Sequence, residues 1–198
     1  MRLHIGCGSE AIRGWTNVDI ASGPGVDVVL DVRQPWPFAG VESIFAEHFI
    51  EHLSLADGMV FLRSARAALR PDGVLRLSTP NLDWVWSTHY KPPAALTPEE
   101  RLLGCMEMNR AFHGWGHQFL YNLTTLEHAL RAAGFRDVAP RAYGESPVAA
   151  LRGLERHERH KDLPGIPSVV VVEAVGTGES SNDFERRIEP YLRDFRVR

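Results

Sequence analysis

Several things are scarce in this sequence, and each shortage excludes something. Two cysteines, Cys7 and Cys105, make neither a disulfide framework nor a zinc site. No apolar run approaches the roughly 18–20 residues of a membrane span. A net charge of −3 provides no overall basic field to recruit nucleic acid, although a local patch stays open. The first apolar run starts almost at Met1 and leaves no room for a signal peptide. There is no internal repeat and no low-complexity segment. These absences predict a cytoplasmic protein without a membrane span or a nucleic-acid partner, and leave its oligomeric state open. What remains is ordinary globular material, 44% hydrophobic and 24% charged, with a length of 198 that suits one domain.

The most informative stretch is Leu3-His4-Ile5-Gly6-Cys7-Gly8-Ser9, followed by Val18-Asp19-Ile20. A β-prone run ends in a Gly-x-Gly turn, where the missing Cβ atoms let the backbone turn sharply and approach a ligand. Asp19, closing the next run, offers two oxygens to a ribose-like diol. About ten residues separate Gly8 from Asp19, too few for a crossover helix. The link from Ile20 to Val26 is shorter still. A parallel crossover usually needs about a dozen residues, but five or six extended residues span roughly 17–20 Å. Parallel strands without the second helix are therefore predicted, with an antiparallel hairpin as the alternative. Gly6 to Ala11 also matches G-x-G-x-x-A of dinucleotide folds, yet Asp19 comes too soon for the acid expected about 20 residues on.

Further along, Val26–Leu30 reads as a third strand ended by Asp31, and Glu42–Ala46 as a fourth running into Glu47-His48-Phe49-Ile50-Glu51-His52-Leu53. Ser54 caps a helix with Leu55, Met59, Leu62, Ala65 and Leu69 on one face. Pro71-Asp72-Gly73 stops it, and Val74–Ser78 is a fifth strand. Residues 81–122 differ in character, with Trp84, Trp86 and Trp115 and a helix announced by Thr97-Pro98-Glu99-Glu100. The glycine-spaced segment from His113 to Tyr121 is poor core material and reads as a loop over a pocket. Thr124 with Glu127 predicts another capped helix, ended by Gly134. A strand over 136–143, a helix over 147–161 and a strand over 168–175 follow. In the tail, Phe184, Ile188, Leu192 and Phe195 recur at helical spacing, interrupted by Pro190, and are expected to pack on the chain's own domain.

Taken as an ordered set, Ile5-Gly6-Cys7-Gly8, Gly14-Trp15, Asn17-Val18-Asp19-Ile20, Asp31, Ala46-Glu47-His48-Phe49-Ile50-Glu51-His52-Leu53, Leu69-Arg70-Pro71-Asp72-Gly73 and Thr79-Pro80-Asn81 resemble the class I S-adenosylmethionine-dependent methyltransferases. The likeness is closest to a compact bacterial subfamily, methyltransferase type 11-like, often found beside saccharide biosynthesis. It covers roughly residues 1–175. It implies an α/β, Rossmann-like, mostly parallel seven-stranded sheet with reduced N-terminal helices and a helical insertion after strand five. The corresponding division is a methyltransferase domain over 1–178, a substrate-side cap over 81–122 and a tail over 179–198.

The resemblance also implies roles. Gly6, Cys7, Gly8 and Ser9 would face the methionine part of the cofactor. Asp19 and Ile20 would lie at the ribose, Asp31 and Val32 at the adenine, and Glu47 and His48 at the methionyl end or the sulfonium. The expected activity is methyl transfer to oxygen of a small-molecule or saccharide-like acceptor. His117 is the first candidate for general base and His113 the second, since an unperturbed imidazole titrates near neutrality. Two departures stand out: His4 replaces the acid common two residues before the first glycine, and Glu47 stands where small or hydroxyl residues are common. They keep open a non-catalytic cofactor-binding regulator or partner subunit. A nicotinamide oxidoreductase is a third reading. His48 and His52, four apart, raise the thought of zinc, but the H-E-x-x-H order is missing and no metal is expected. Arg152 and Glu155 fit either an ion pair bracing the cap or a substrate contact.

Overall fold

The computed structural model describes residues 1–192 except 93, 95, 158, 159 and 177, with 191 and 192 as backbone alone. Seven strands form one sheet: β1 (Arg2–Ile5), β2 (Thr16–Asp19), β3 (Val28–Val29), β4 (Val41–Glu47), β5 (Leu69–Pro80), β6 (Asp137–Pro140) and β7 (Val169–Val175). Their order is β3-β2-β1-β4-β5-β7-β6. The first five are mutually parallel, and β7 runs antiparallel to both β5 and β6. The expected α/β Rossmann-like sheet is thus present. Both links on either side of β2 lack a helix, and the hairpin alternative for β2 and β3 is excluded by their parallel register.

Among the described residues, five α-helices accompany the sheet: α1 (Leu55–Ala68), α2 (Leu82–His89), α3 (Pro98–His113), α4 (Leu123–Ala132) and α5 (Asp183–Leu192). Ser54 caps α1 by accepting the Asp57 amide, and Thr97 with Glu100 forms the expected capping box on α3. α2, capped by Asn81, is a helix of the 81–122 stretch additional to the one announced by Thr97. The α4 cap is Asn122, whose side chain accepts the Thr125 amide, so the expected Thr124–Glu127 box does not form. Pro71-Asp72-Gly73 does not break the chain between helix and strand: β5 runs through it, with a register shift against β4 between Val41 and Ser43.

The two faces of the sheet are built differently. On one, alternate residues Ile44, Ala46, Leu75 and Leu77 join α1 and α4 in the main core, with Phe184 and Ile188 of α5 packed against it. Arg63 of α1 also pairs with Glu185 of α5, so the tail packs on the chain's own core as expected. The side chains of Leu192 and Phe195 lie outside the described residues. On the other face, Phe45 and Val74 meet Ile12, Trp15 and Leu151, which come from irregular segments. With no helix between β1 and β2, loops must cover this face, and loops carry backbone polar groups that need partners. Asn17 supplies some of these: its amide accepts the Ile12 amide and donates to the Ile12 and Trp15 carbonyls.

The segment expected to be helical over 147–161 is the other cover, and among its described residues the helix is limited to one turn at Ala149–Leu151. Gly153 adopts φ +66°, the left-handed region, and its amide bonds to the Gly144 carbonyl. The chain then runs across the sheet, where the fully buried Arg76 donates to Glu155 (2.6 Å), Glu173 (2.9 Å) and the Glu145 carbonyl. Glu155 therefore pairs with Arg76 and not with Arg152, whose guanidinium donates to the Ser146 carbonyl.

Candidate active site

The C-terminal ends of β1, β2 and β4 open onto three adjoining cavities, the usual place for ligands in an open α/β sheet. The first, of about 260 Å³, is lined by Gly6, Asp19, Ile20, Asp31, Val32, Phe49 and His52, among others. The second, of about 220 Å³, lies beside Gly6, Cys7, Gly8, Ser9, Glu47, His48, Arg156 and His157. Gly6 borders both. Its φ is +67°, and a Cβ there would stand 2.3 Å from the Phe49 ring, so only glycine fits between the two arms.

Asp19 is set by the turn it faces. Its two oxygens accept the Gly8 amide at 2.8 Å and the Ala21 amide at 3.1 Å, leaving further lone pairs for a diol. Asp31 is gripped by Arg33 through a side-chain fork, which holds its carboxyl below the usual carboxylate range. Val32 is buried beside it, whereas Ile20 is exposed. The Cys7 thiol is buried, and burial pushes its pKa up, so a nucleophilic role is disfavoured. His4 is also buried, stacked on Phe45 at 5.4 Å and donating to Asn17, and burial lowers its pKa.

Glu47 lines the second cavity and is held by backbone amides. Its carboxylate accepts the backbone amides of Arg156 (2.9 and 3.0 Å) and His157 (3.1 Å), with the His157 ring at 3.3 Å. It clamps the 144–157 segment over the second cavity. Next to it, His48 has φ +47°, the one non-glycine residue with positive φ among those described. Such a backbone costs roughly 1 kcal/mol or more and tends to occur at functional sites. The His48 ring stacks on His157 at 4.5 Å.

The third cavity is the largest, about 700 Å³, and lies between the sheet end and the 81–122 insertion. His52 links it to the first cavity, and His48 and His157 link it to the second. Six of the nine histidines line it: His48, His52, His89, His117, His157 and His160, together with Trp84, Trp115 and Arg110. His117 is buried, and its Nδ1–H donates to the Ala111 carbonyl at 3.0 Å, which leaves Nε2 as the ring's acceptor. His113 is exposed at the end of α3 and is not among the cavity's lining residues, and Tyr121 is fully buried in the main core. Gly116, at φ +78°, breaks the helical spacing that relates these three in sequence. Phe49, Gln118, His157 and His160 escaped the sequence reading. The one visible hint was the concentration of histidines in 48–52, 113–117 and 157–160.

Residues 14–139, well over half of the chain, match the family model described as "Methyltransferase domain". No curated protein sequence matches. Among solved structures, a SAM-dependent methyltransferase from Archaeoglobus fulgidus is 18% identical with a TM-score of 0.54, over 87% of this chain and 84% of that one. The S-adenosylmethionine-dependent methyltransferase SibL is 16% identical (TM-score 0.51), and a possible exported protein from Bordetella parapertussis is also 16% identical (TM-score 0.52). Each alignment covers 89% of this chain but only 50% of SibL and 62% of the Bordetella chain. At these identities the structures speak for the fold, and the family model for the membership. The sheet order, the glycine turn and the acid after β2 agree with both: the chain belongs to the methyltransferase-domain family.

Proposed function

We propose that the protein transfers the methyl group of S-adenosylmethionine to an oxygen of a small-molecule or saccharide-like acceptor bound in the histidine-lined cavity. The observation that carries this reading is the junction at His48 and His52, through which a cavity of about 700 Å³ adjoins both smaller ones. A cofactor with an adenosine end and an amino-acid end suits two arms that meet at a glycine without room for a Cβ. Gly6, Cys7, Gly8 and Ser9 would hold the amino-acid end, Asp19 and Ile20 the ribose, and Asp31 and Val32 the adenine. Glu47 and His48 would close the methionyl side, Glu47 through the segment it clamps.

The cofactor supplies a methyl group activated by a positively charged sulfur, so the chain's task is alignment and exclusion of water. The aromatic walls and the insertion enclose the acceptor. Of the two candidate bases, His117 lines the cavity with a fixed tautomer, and its Nε2 accepts the acceptor hydroxyl's hydrogen bond and, during transfer, its proton. Among the described residues no helix is long and apolar enough to cross a membrane. A cytoplasmic setting suits the two free cysteines, one of them exposed.

The second reading is a cofactor-binding regulator without turnover, and the Glu47 clamp over the second cavity favours it. Isothermal titration with S-adenosylhomocysteine, followed by turnover on a panel of sugars, sugar nucleotides and small phenols, tests both. Binding with methylation of one class supports the enzyme. Binding without methylation of any supports the regulator, and no binding overturns both.

A further inference from the structure

Between His48 and His52, which line the large cavity, the chain carries a buried carboxyl group. Glu51 is fully buried. Its Oε2 accepts the Thr79 hydroxyl at 2.9 Å, while Oε1 has no hydrogen-bond partner and stands 3.3 Å from Nδ1 of His48. Among the described residues it forms no ion pair with arginine or lysine. A buried carboxyl group with an open oxygen is a place where a cation can be held. Beside it, one donor atom each from Glu51, His52 and His117 lie within 4.8 Å of one another.

The trio comes from two segments that are sewn together. The Gln118 amide donates to the Glu51 carbonyl at 2.7 Å, and the Gln118 side chain donates to the His52 carbonyl at 2.7 Å. The His52 and His117 rings stand 5.1 Å apart at 70°. The Nδ1–H of His117 is fixed by the Ala111 carbonyl, the outer hydrogen bond that typically orients a metal-binding imidazole and sets its tautomer. Metal bonds of about 2.0–2.1 Å place tetrahedral ligands roughly 3.4 Å apart, so the three donors are within side-chain rotations of closing on one ion.

We propose that Glu51, His52 and His117 form a site for a divalent transition metal of the zinc type, with one coordination position open to the cavity. Two imidazoles and a carboxylate are a donor set for zinc or a similar ion, and three protein ligands with an open position characterise catalytic rather than structural sites. The role of the site rests on the cavity being the acceptor site. An acceptor hydroxyl bound at the open position loses its proton to water and keeps its electron pair on oxygen, where the ion holds the charge. His117 then serves by holding the cation, in place of taking the proton itself. The absence of an H-E-x-x-H pattern is no obstacle, because Glu51 and His52 sit on a single 3-10 turn and the third ligand arrives from the 113–121 loop.

The test uses the whole protein, stripped with a chelator and titrated with cobalt(II) alone, without cofactor or acceptor. The expected result is one ion per chain with the intense visible absorption of four-coordinate cobalt, displaced by zinc(II). His52→Ala and His117→Ala each weaken binding at least tenfold, and His128→Ala, outside the cavity, does not. Glu51→Gln is expected to act likewise but alters a buried group, so His52→Ala, only half-buried, decides if the Glu51 variant misfolds by circular dichroism. No stoichiometric binding, or binding unchanged in both histidine variants, overturns the site. Methyl transfer that survives exhaustive chelation also overturns its role while leaving the proposed activity intact. Failure to bind S-adenosylhomocysteine would count against the proposed activity and not against the metal.

Discussion

Arg76 and Glu155, far apart in sequence, meet at 2.6 Å with neither side chain exposed. This pair lies on the sheet face covered by loops and the single helical turn at Ala149–Leu151, and it fixes the chain just before Arg156 and His157, whose amides Glu47 accepts. The second cavity is therefore roofed by a segment held at two adjacent points by buried charge.

Arg76→Met should be severely destabilising, because it leaves Glu155 buried without its cation and removes one of the two arginines on Glu173. Breaking such a pair by removing one partner typically costs about 3–5 kcal/mol. Urea denaturation followed by circular dichroism measures it, and a loss below about 1 kcal/mol would show that the network is not held as described.

Asp19→Ala should weaken S-adenosylhomocysteine binding about 10- to 100-fold, the equivalent of one or two charged hydrogen bonds. Asp31→Ala should do less, since Arg33 already occupies much of its carboxylate. Calorimetric Kd values that are equal for wild type and Asp19→Ala would remove Asp19 from the ribose.

His117→Ala should lower kcat by roughly 10²–10⁴, with the affinity for S-adenosylhomocysteine unchanged within a few-fold. Single-turnover assays on the acceptor found by panel screening separate the two effects. Activity within a few-fold of wild type would take His117 out of the chemistry.

His4 should make the protein less stable in mild acid. Burial holds its pKa in the folded chain below the ordinary 6.5, with Arg156 adding to that and Glu47 and Asp19 opposing it. Above about pH 6.5 the ring is neutral in both states and contributes no pH dependence. As the pH falls below that, the unfolded chain takes up the proton first, and unfolding is favoured. His4→Gln should therefore show a smaller drop in Tm between pH 7 and pH 5 than wild type. An identical drop in both would mean that His4 is not the group responsible.

Much of this was legible in the residues. The short distance from Gly8 to Asp19 excludes a helix by chain length alone, and β1 and β2 are parallel without one. The capping box at Thr97 and Glu100 is a local hydrogen-bond pattern and formed as read. Local patterns misled where a distant partner was stronger. Residues 147–161 carry helical spacing, but Gly153 and the pull of Arg76 and Glu47 draw the backbone out across the sheet face.

The sequence by itself determined the trimmed parallel sheet, the glycine turn and the acid after β2, because chain length, Cβ sterics and strand patterning act between near neighbours. Only the tertiary structure decided which histidines converge, that Glu47 binds backbone amides, and that Glu51, His52 and His117 share one corner. Those meetings depend on how segments 60 and more residues apart are laid over the sheet, and no local spacing encodes that.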